Sequence, residues 1–253
     1  MRRGCPRCPY PTFCRLRARS ARRAGIRLPL PLAPVKALVF ERKEARYAAT
    51  ALATRLTETA APRLAPLRLA DIDPPALPGD GWHNVHPRLS GICGSDLALL
   101  TGRTSRYFEP LASMPFVLGH EVVGDLTDGR RVVIDAVLGH AARGEPPPHA
   151  GSFPADGHDY GHLTSGPLGA GLQIGSCKRT GGGWSTQFVA HESQIHDVPE
   201  DLSDEAAVMV EPAASAIHAA LRADVAEGDT VVVIGGGPIG LCVIAALRRG
   251  SGA

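Results

Sequence analysis

The sequence lacks two features that would each define a class of protein, a strong net charge and a regular series of cysteine pairs. Its 253 residues carry a formal net charge of +2, which argues against a nucleic-acid-binding protein. The six cysteines are irregularly spaced, so no disulfide framework is predicted and a reducing cytoplasm is favoured. Hydrophobic residues make up 44% of the chain, which excludes wholesale disorder.

The charges that are present are unevenly distributed. Residues 1–35 contain nine arginines, no lysine and no acidic residue. This extension shows no helical or strand periodicity, so a disordered segment is favoured. Its Cys5, Cys8 and Cys14 lack a nearby fourth ligand, which leaves a zinc knuckle as the weaker alternative. An organelle transit peptide and an over-extended translation start also remain open.

The folded part begins at Val35 and is predicted to be rich in β-structure. Short β-prone runs are separated by stretches rich in Gly and Pro, as in a compact β-domain. Residues 41–80 have poor periodicity and give no clear prediction. The four strand candidates are Val35 to Phe40, Trp82 to Leu89, Arg131 to Val137 and Trp184 to His191.

Helices are predicted only late in the chain. Ser203 is a plausible N-cap for a helix that runs to about Ala223, with an interruption at Pro212. The β-branched run Val231 to Ile234 is then typical of a buried parallel strand, and Leu241 to Arg249 of a helix. The uncharged residues 230–247 approach the length of a membrane span, but their four glycines and one proline disfavour a membrane helix.

A glycine-rich turn joins this strand to this helix and is predicted to bind a dinucleotide. Gly235 permits the tight bend, Gly237 lets the backbone approach a pyrophosphate, and Gly240 lets the helix pack on the strand. An ordinary strand-to-helix turn is the alternative. The predicted cofactor-binding residues are Gly235, Gly237, Pro238, Ile239 and Gly240.

Earlier in the chain, Cys93, His120 and Glu121 are a thiolate, an imidazole and a carboxylate, all ligands that zinc accepts. Each alone is ambiguous, but they belong to an ordered series of motifs. The series resembles the zinc-dependent medium-chain dehydrogenase/reductase family, and its polyol and threonine dehydrogenase branch most closely. The motifs are Cys-Gly-Ser-Asp from Cys93, Gly-His-Glu from Gly119, Gly-Trp-Ser from Gly183, Val-Glu-Pro from Val210, and Gly-Gly-Gly-Pro-Ile-Gly from Gly235.

The resemblance implies a zinc-dependent oxidoreductase that moves hydride between a secondary alcohol or polyol and NAD or NADP. One catalytic zinc would lower the pKa of the alcohol. Ser95 would relay the alcohol proton, and Asp96 would fix the ring of His120 from outside the ligand set. The ligands implied for the zinc are Cys93, His120, Glu121 and Glu211, the two carboxylates acting directly or through a water molecule.

The resemblance also implies the fold and the partners. A GroES-like β-barrel catalytic domain over residues 36–212 would be followed by the start of a Rossmann dinucleotide-binding domain over residues 213–253. The implied partner is a small-molecule alcohol, with no nucleic acid and no membrane. Family members usually form dimers or tetramers through the nucleotide domain, most of which would lie beyond this chain.

The sequence departs from the family pattern at three places. A position that bears a proton-relay histidine in some relatives is Ala98. Residues Val137 to Cys177, the 137–177 lobe, keep only Cys177 of the four cysteines that hold a structural zinc in many members. This lobe is therefore predicted to be mobile. Four histidines in the lobe make a rebuilt metal site conceivable, although solvated loop residues are favoured: His140, His149, His158 and His162.

The third departure is that the chain ends 13 residues after Gly240, before the acidic residue expected to recognise the ribose. We therefore expect apolar side chains such as Val232, Ile234 and Ile244 to be exposed. Two alternatives to an active dehydrogenase follow. One is a truncated, inactive zinc-binding chain. The other is a zinc-free quinone or enoyl reductase, against which the three metal-ligand types argue.

Overall fold

The computed structural model describes residues 33–57, 64–146, 161–226 and 228–250. The chain divides into two units, residues 1–33 and 34–253. The prediction of a disordered or zinc-binding extension therefore falls almost entirely outside the described residues. Residues 34–253 form one unit, and a domain boundary after residue 212 stays a prediction.

Two antiparallel sheets form the β-rich part. The first has the strand order β2-β1-β4, and the second has the order β7-β3-β5-β6-β8. All four predicted strand regions contain a strand, as β1, β3, β6 and β7, which confirms the β-rich prediction. The strands are β1 Val35–Phe40, β2 Leu67–Ile72, β3 Trp82–Ser90, β4 Phe116–Val117, β5 Val122–Leu126, β6 Arg131–Ile134, β7 Phe188–His191 and β8 Ile195–Asp197.

The main core lies on one face of the five-stranded sheet, where alternate residues of β3, β5, β6 and β7 pack together with side chains from the 137–177 lobe. Val85, Val132 and Phe188 are fully buried there. On the opposite face, Val123 and Val133 pack against Ala207. The sheet is thereby covered on both sides, and its ends are free to present loops.

The described residues include five α-helices, and two of them precede the region in which helices were predicted. The early helix α1 was missed because its apolar residues do not fall into one clear stripe. The helix α2 was missed because it has only seven residues. The helices are α1 Glu44–Leu56, α2 Gly94–Leu100, α3 Asp204–Ala207, α4 Val210–Arg222 and α5 Pro238–Gly250.

The predicted N-cap is confirmed, but the predicted interruption at Pro212 is wrong. Ser203 Oγ accepts a hydrogen bond from the amide of Ala206 at 3.3 Å. The break between α3 and α4 falls at Val208 and Met209. Pro212 is the third residue of α4, where its missing amide hydrogen has no role in the helix ladder.

The run Val231 to Ile234 does not form the predicted strand, because no neighbouring strand pairs with it in the described ranges. Val232 is 78% exposed and Ile234 is 96% exposed, while Ile244 on α5 is 39% exposed. The expected exposure of apolar surface is thus confirmed. No helix within the described residues has the length and apolar character needed to cross a membrane.

Candidate metal and alcohol-binding site

Three predicted metal ligands converge in the structure. Cys93 immediately precedes α2, and His120 and Glu121 occupy the junction between β4 and β5. One ligand atom from each residue lies within 4.8 Å of the other two. His120 and Glu121 are buried and Cys93 is half-buried. Among the described residues, this is the one group of three such side chains with metal-binding spacing.

Close packing at Gly91 positions Glu121. The amide of Gly91 donates to the carbonyl of Glu121 at 2.8 Å. A Cβ added at residue 91 would lie 2.0 Å from Glu121 Oε2, so no larger residue fits without moving the carboxylate. Trp184 Nε1 in turn donates to the Gly91 carbonyl at 3.1 Å. The segment just before Cys93 and the Gly-Trp-Ser motif therefore meet behind the carboxylate.

Asp96 is buried beside His120, as a ring-orienting carboxylate would be. Its Oδ2 accepts from the amide of Cys93 at 3.0 Å, and its Oδ1 lies 3.7 Å from His120 Nδ1. Burial raises the pKa of Asp96 to about 6, although the Cys93 amide opposes this shift. Burial also lowers the pKa of His120. The neutral imidazole, which is the form that binds metals, is thereby favoured.

A cavity of about 280 Å³ opens beside this group and contains Ser95 and His120 in its wall. Most of its lining is apolar, from side chains such as Leu99, Phe108 and Leu118. Its volume lies near the lower end of the range for small-molecule sites. The predicted proton-relay hydroxyl and one predicted metal ligand thus border the same cavity.

Glu211 lies in the first turn of α4, outside the group of three ligand atoms. Burial raises its pKa to about 7, and the nearby charges of Glu121 and Asp135 add to the shift. The electrostatic coupling to Glu121 places Glu211 in the neighbourhood of the site. Its role as a ligand stays a prediction.

The glycine-rich turn is tightly bent and leads directly into a helix. Gly235 has a φ of +111°, and a Cβ on Gly240 would lie 2.0 Å from the Gly235 carbonyl oxygen. Space around Gly237 is open, since nothing approaches its added Cβ within 4 Å. Pro238 begins α5 and Ile239 follows it. The binding of a pyrophosphate by these residues stays a prediction, and the segment before them forms no strand.

Arg143, which no sequence pattern singled out, holds the 137–177 lobe together. Its side chain is 2% exposed, and its guanidinium donates to carbonyl oxygens on both sides of the lobe. The lobe therefore has a cross-link that requires no metal. Its mobility stays a prediction. The acceptors are Leu138 at 2.9 Å, Ser165 at 2.8 Å, Gly169 at 3.0 Å, Leu163 at 3.3 Å and Gly171 at 2.5 Å.

The histidines of this lobe are only partly described. The rings of His140 and His162 are stacked with centroids 3.8 Å apart. His162 is buried, so the expectation of a solvated loop residue is wrong for it. His149 and His158 lie outside the described residues. Within the described residues no third ligand joins the stacked pair.

Comparison with known proteins agrees with this architecture. The alcohol dehydrogenase GroES-like domain matches residues 79–200. The sorbitol dehydrogenase of Bacillus subtilis is 30% identical over 159 residues, covering 62% of this chain and 43% of the relative. The starvation-sensing protein RspB of Escherichia coli is 31% identical over 171 residues, covering 68% and 47%. The matched part is thus less than half the length of these relatives.

Solved structures show the same fold. The 2R,3R-butanediol dehydrogenase of Bacillus subtilis superposes with a TM-score of 0.60 at 23% identity, over 86% of this chain and 55% of that one. The rspB protein of Escherichia coli, solved with the cofactor NADH, gives 0.58 at 24% identity, over 87% and 55%. A GroES-like domain followed by the beginning of a Rossmann domain is therefore the fold class. Residues 79–200 thus match the alcohol dehydrogenase GroES-like domain, and the curated relatives support the zinc-type medium-chain dehydrogenase/reductase family for the chain.

Proposed function

We propose that this chain carries the catalytic half of a zinc-dependent alcohol dehydrogenase that acts on a secondary alcohol or polyol. The observation that carries the proposal is the meeting of Cys93, His120 and Glu121 beside the cavity that contains Ser95. The names of the relatives support it, since they include sorbitol, threonine and butanediol dehydrogenases.

The donor set fits zinc. A thiolate, a neutral imidazole and a carboxylate are ligands that zinc accepts, and three protein ligands leave one position open for substrate. Cys93, His120 and Glu121 would hold the ion, with Glu211 as a further carboxylate nearby. When bound, zinc supplies a Lewis acid that polarises the alcohol oxygen, and a nicotinamide dinucleotide supplies the hydride acceptor.

The protein's own residues would orient the alcohol and move its proton. The apolar cavity wall would hold the carbon skeleton and exclude water. The Ser95 hydroxyl, in the wall of the same cavity, would accept the proton from the alcohol oxygen. Asp96 would keep the His120 ring in place. The turn from Gly235 to Gly240 would hold the pyrophosphate of NAD or NADP.

The test is to measure zinc content and alcohol oxidation in the same samples. One zinc per chain is expected by elemental analysis, and it should be lost in Cys93→Ser and in His120→Ala. Formation of NADH or NADPH from a panel of secondary alcohols and polyols tests turnover. A chain without zinc would refute the metal site, and zinc without turnover would refute the activity.

A second candidate is a zinc-binding chain without catalysis. The exposure of Val232 and Ile234 favours it, because the segment before the turn lacks, among the described residues, the strand partners on which a dinucleotide-binding sheet depends. Titration with NADH separates the two candidates, since only the dehydrogenase is expected to bind it. We propose a cytoplasmic location, because the irregular spacing of the cysteines predicts no disulfide framework.

A further inference from the structure

The cavity beside Ser95 contains polar groups that the proposed reaction does not use. Thr104 and Arg42 both contribute to its wall. Thr104 Oγ1 is buried and makes no hydrogen bond to any described residue. Buried hydroxyls without a partner are uncommon, because burying a polar group without a hydrogen bond destabilises the fold. Because this unpaired hydroxyl lies in a cavity of ligand size, a ligand atom could form the missing hydrogen bond with it.

Arg42 presents a second buried donor at the same cavity. Its Nε lies 3.0 Å from Glu44 Oε1, but the N–H is not directed at that oxygen and makes no hydrogen bond within the described part of the chain. The rest of the guanidinium is fixed, since Nη1 lies 2.9 Å from Glu109 Oε1 and the group sits 5.2 Å from the Tyr47 ring centroid. The donor is therefore held in place with no freedom to turn away.

The charges around Arg42 balance. Glu44 and Glu109 each contact the guanidinium, and Arg106 Nε lies 3.2 Å from Glu109 Oε1. Two arginines thus face two carboxylates. A neutral oxygen atom can form hydrogen bonds here without adding a charge, whereas a carboxylate would be repelled by the two acidic groups that already pair with the arginines. The site is suited to a hydroxyl or carbonyl oxygen.

The position of Thr104 sets the distance from the reacting centre. Ser95 is the second residue of α2, and Thr104 follows the C-terminal end of the same helix. A helix of seven residues is about 10 Å long. Ser95 and Thr104 are therefore near opposite ends of α2, with Leu99 of the same helix in the cavity wall. A ligand that reaches both needs its two oxygen atoms separated by several carbons.

We propose that Thr104 and Arg42 form a distal subsite that selects alcohols with a second, neutral oxygen several carbon atoms from the reacting carbon. This inference rests on the proposed function, because it assumes that the cavity holds the alcohol substrate. Its substrate class is a non-vicinal diol or hydroxyketone. A vicinal diol is too short to engage both ends.

Four six-carbon ligands test the subsite on the zinc-loaded chain, by isothermal titration. They are 2-hexanol, 2,3-hexanediol, 2,5-hexanediol and 5-hydroxyhexanoate. We expect 2,5-hexanediol to bind about 5- to 10-fold more tightly than 2-hexanol, as one or two added hydrogen bonds provide. The vicinal diol and the carboxylate should gain no more than twofold. In a ¹H–¹⁵N spectrum, the Arg42 Nε–H resonance should shift with 2,5-hexanediol and not with 2-hexanol.

Variants separate the subsite from a general change of structure. Thr104→Val should abolish the preference for 2,5-hexanediol over 2-hexanol, and Thr104→Ser should restore it. Thr127→Val, in an exposed turn, is the matched control and should leave the preference unchanged. Equal binding of 2-hexanol and 2,5-hexanediol by the unmodified chain would overturn the subsite and leave the proposed function intact. No binding of any of the four would overturn both.

Discussion

Replacing Arg143 is expected to destabilise the chain more than replacing any exposed arginine. In Arg143→Met the apolar volume is roughly kept, but five carbonyl oxygens in the 137–177 lobe lose their donor. Hydrogen bonds to a charged group contribute about 1.5–3 kcal/mol each, and part of that gain offsets the cost of burying the guanidinium. Breaking a buried charged network costs about 3–5 kcal/mol of unfolding free energy.

The loss is large against the total stability of an ordinary domain, which is about 5–15 kcal/mol. For a chain of this size each kcal/mol lowers Tm by about 2–4 °C, so the variant should melt roughly 10 °C below the unmodified chain. Urea unfolding, monitored by tryptophan fluorescence and by far-UV circular dichroism, measures the free energy directly. Both proteins should be free of metal, so that zinc binding does not alter the comparison.

Arg130→Met is the matched control, because Arg130 is about half exposed and pairs with Asp128 and Asp197 at the surface. Its loss should change the free energy of unfolding by less than about 1 kcal/mol. Arg143→Lys should fall between the two, since an ammonium has three donors instead of five. A loss of under 1 kcal/mol in Arg143→Met would refute the view that this side chain holds the lobe together.

Three further predictions concern the metal site and the exposed strand segment. Gly91→Ala should weaken zinc binding at least 10-fold in a chelator competition, because the new Cβ would collide with the carboxylate of Glu121. Gly94→Ala is the control and should bind zinc normally, because the space around its new Cβ is open. Asp96→Asn should lower zinc affinity by about 10- to 100-fold while far-UV circular dichroism stays unchanged. Val232→Ser combined with Ile234→Ser should change the unfolding free energy by less than about 0.5 kcal/mol and reduce aggregation measured by light scattering, since both side chains are exposed; a large loss of stability would show that they are buried.

The metal site was predictable from the sequence because its ligand residues lie in short, recognisable motifs. Cys93, His120 and Glu121 are identified by the glycines and polar residues next to them, and the structure brings their ligand atoms together. The role of Gly91 was not predictable, since its contact with Glu121 spans thirty residues. Glu211 shows the limit of a motif. The motif identified this residue as a candidate ligand, but it did not determine whether the carboxylate binds the metal.

Local signals alone determined the strands β1, β3, β6 and β7, the N-cap at Ser203 and the glycine turn before α5, since alternation, capping and turn residues act over a few positions. Tertiary structure decided the rest. Val231 to Ile234 has the composition of a strand, yet a strand exists only where another pairs with it. In the sequence nothing distinguishes Arg143 from the other charged residues. Only the fold surrounds its guanidinium with carbonyl oxygens from residues 138 to 171. Contacts between residues distant in the chain leave no periodic trace in the sequence, and for that reason the structure alone reveals them.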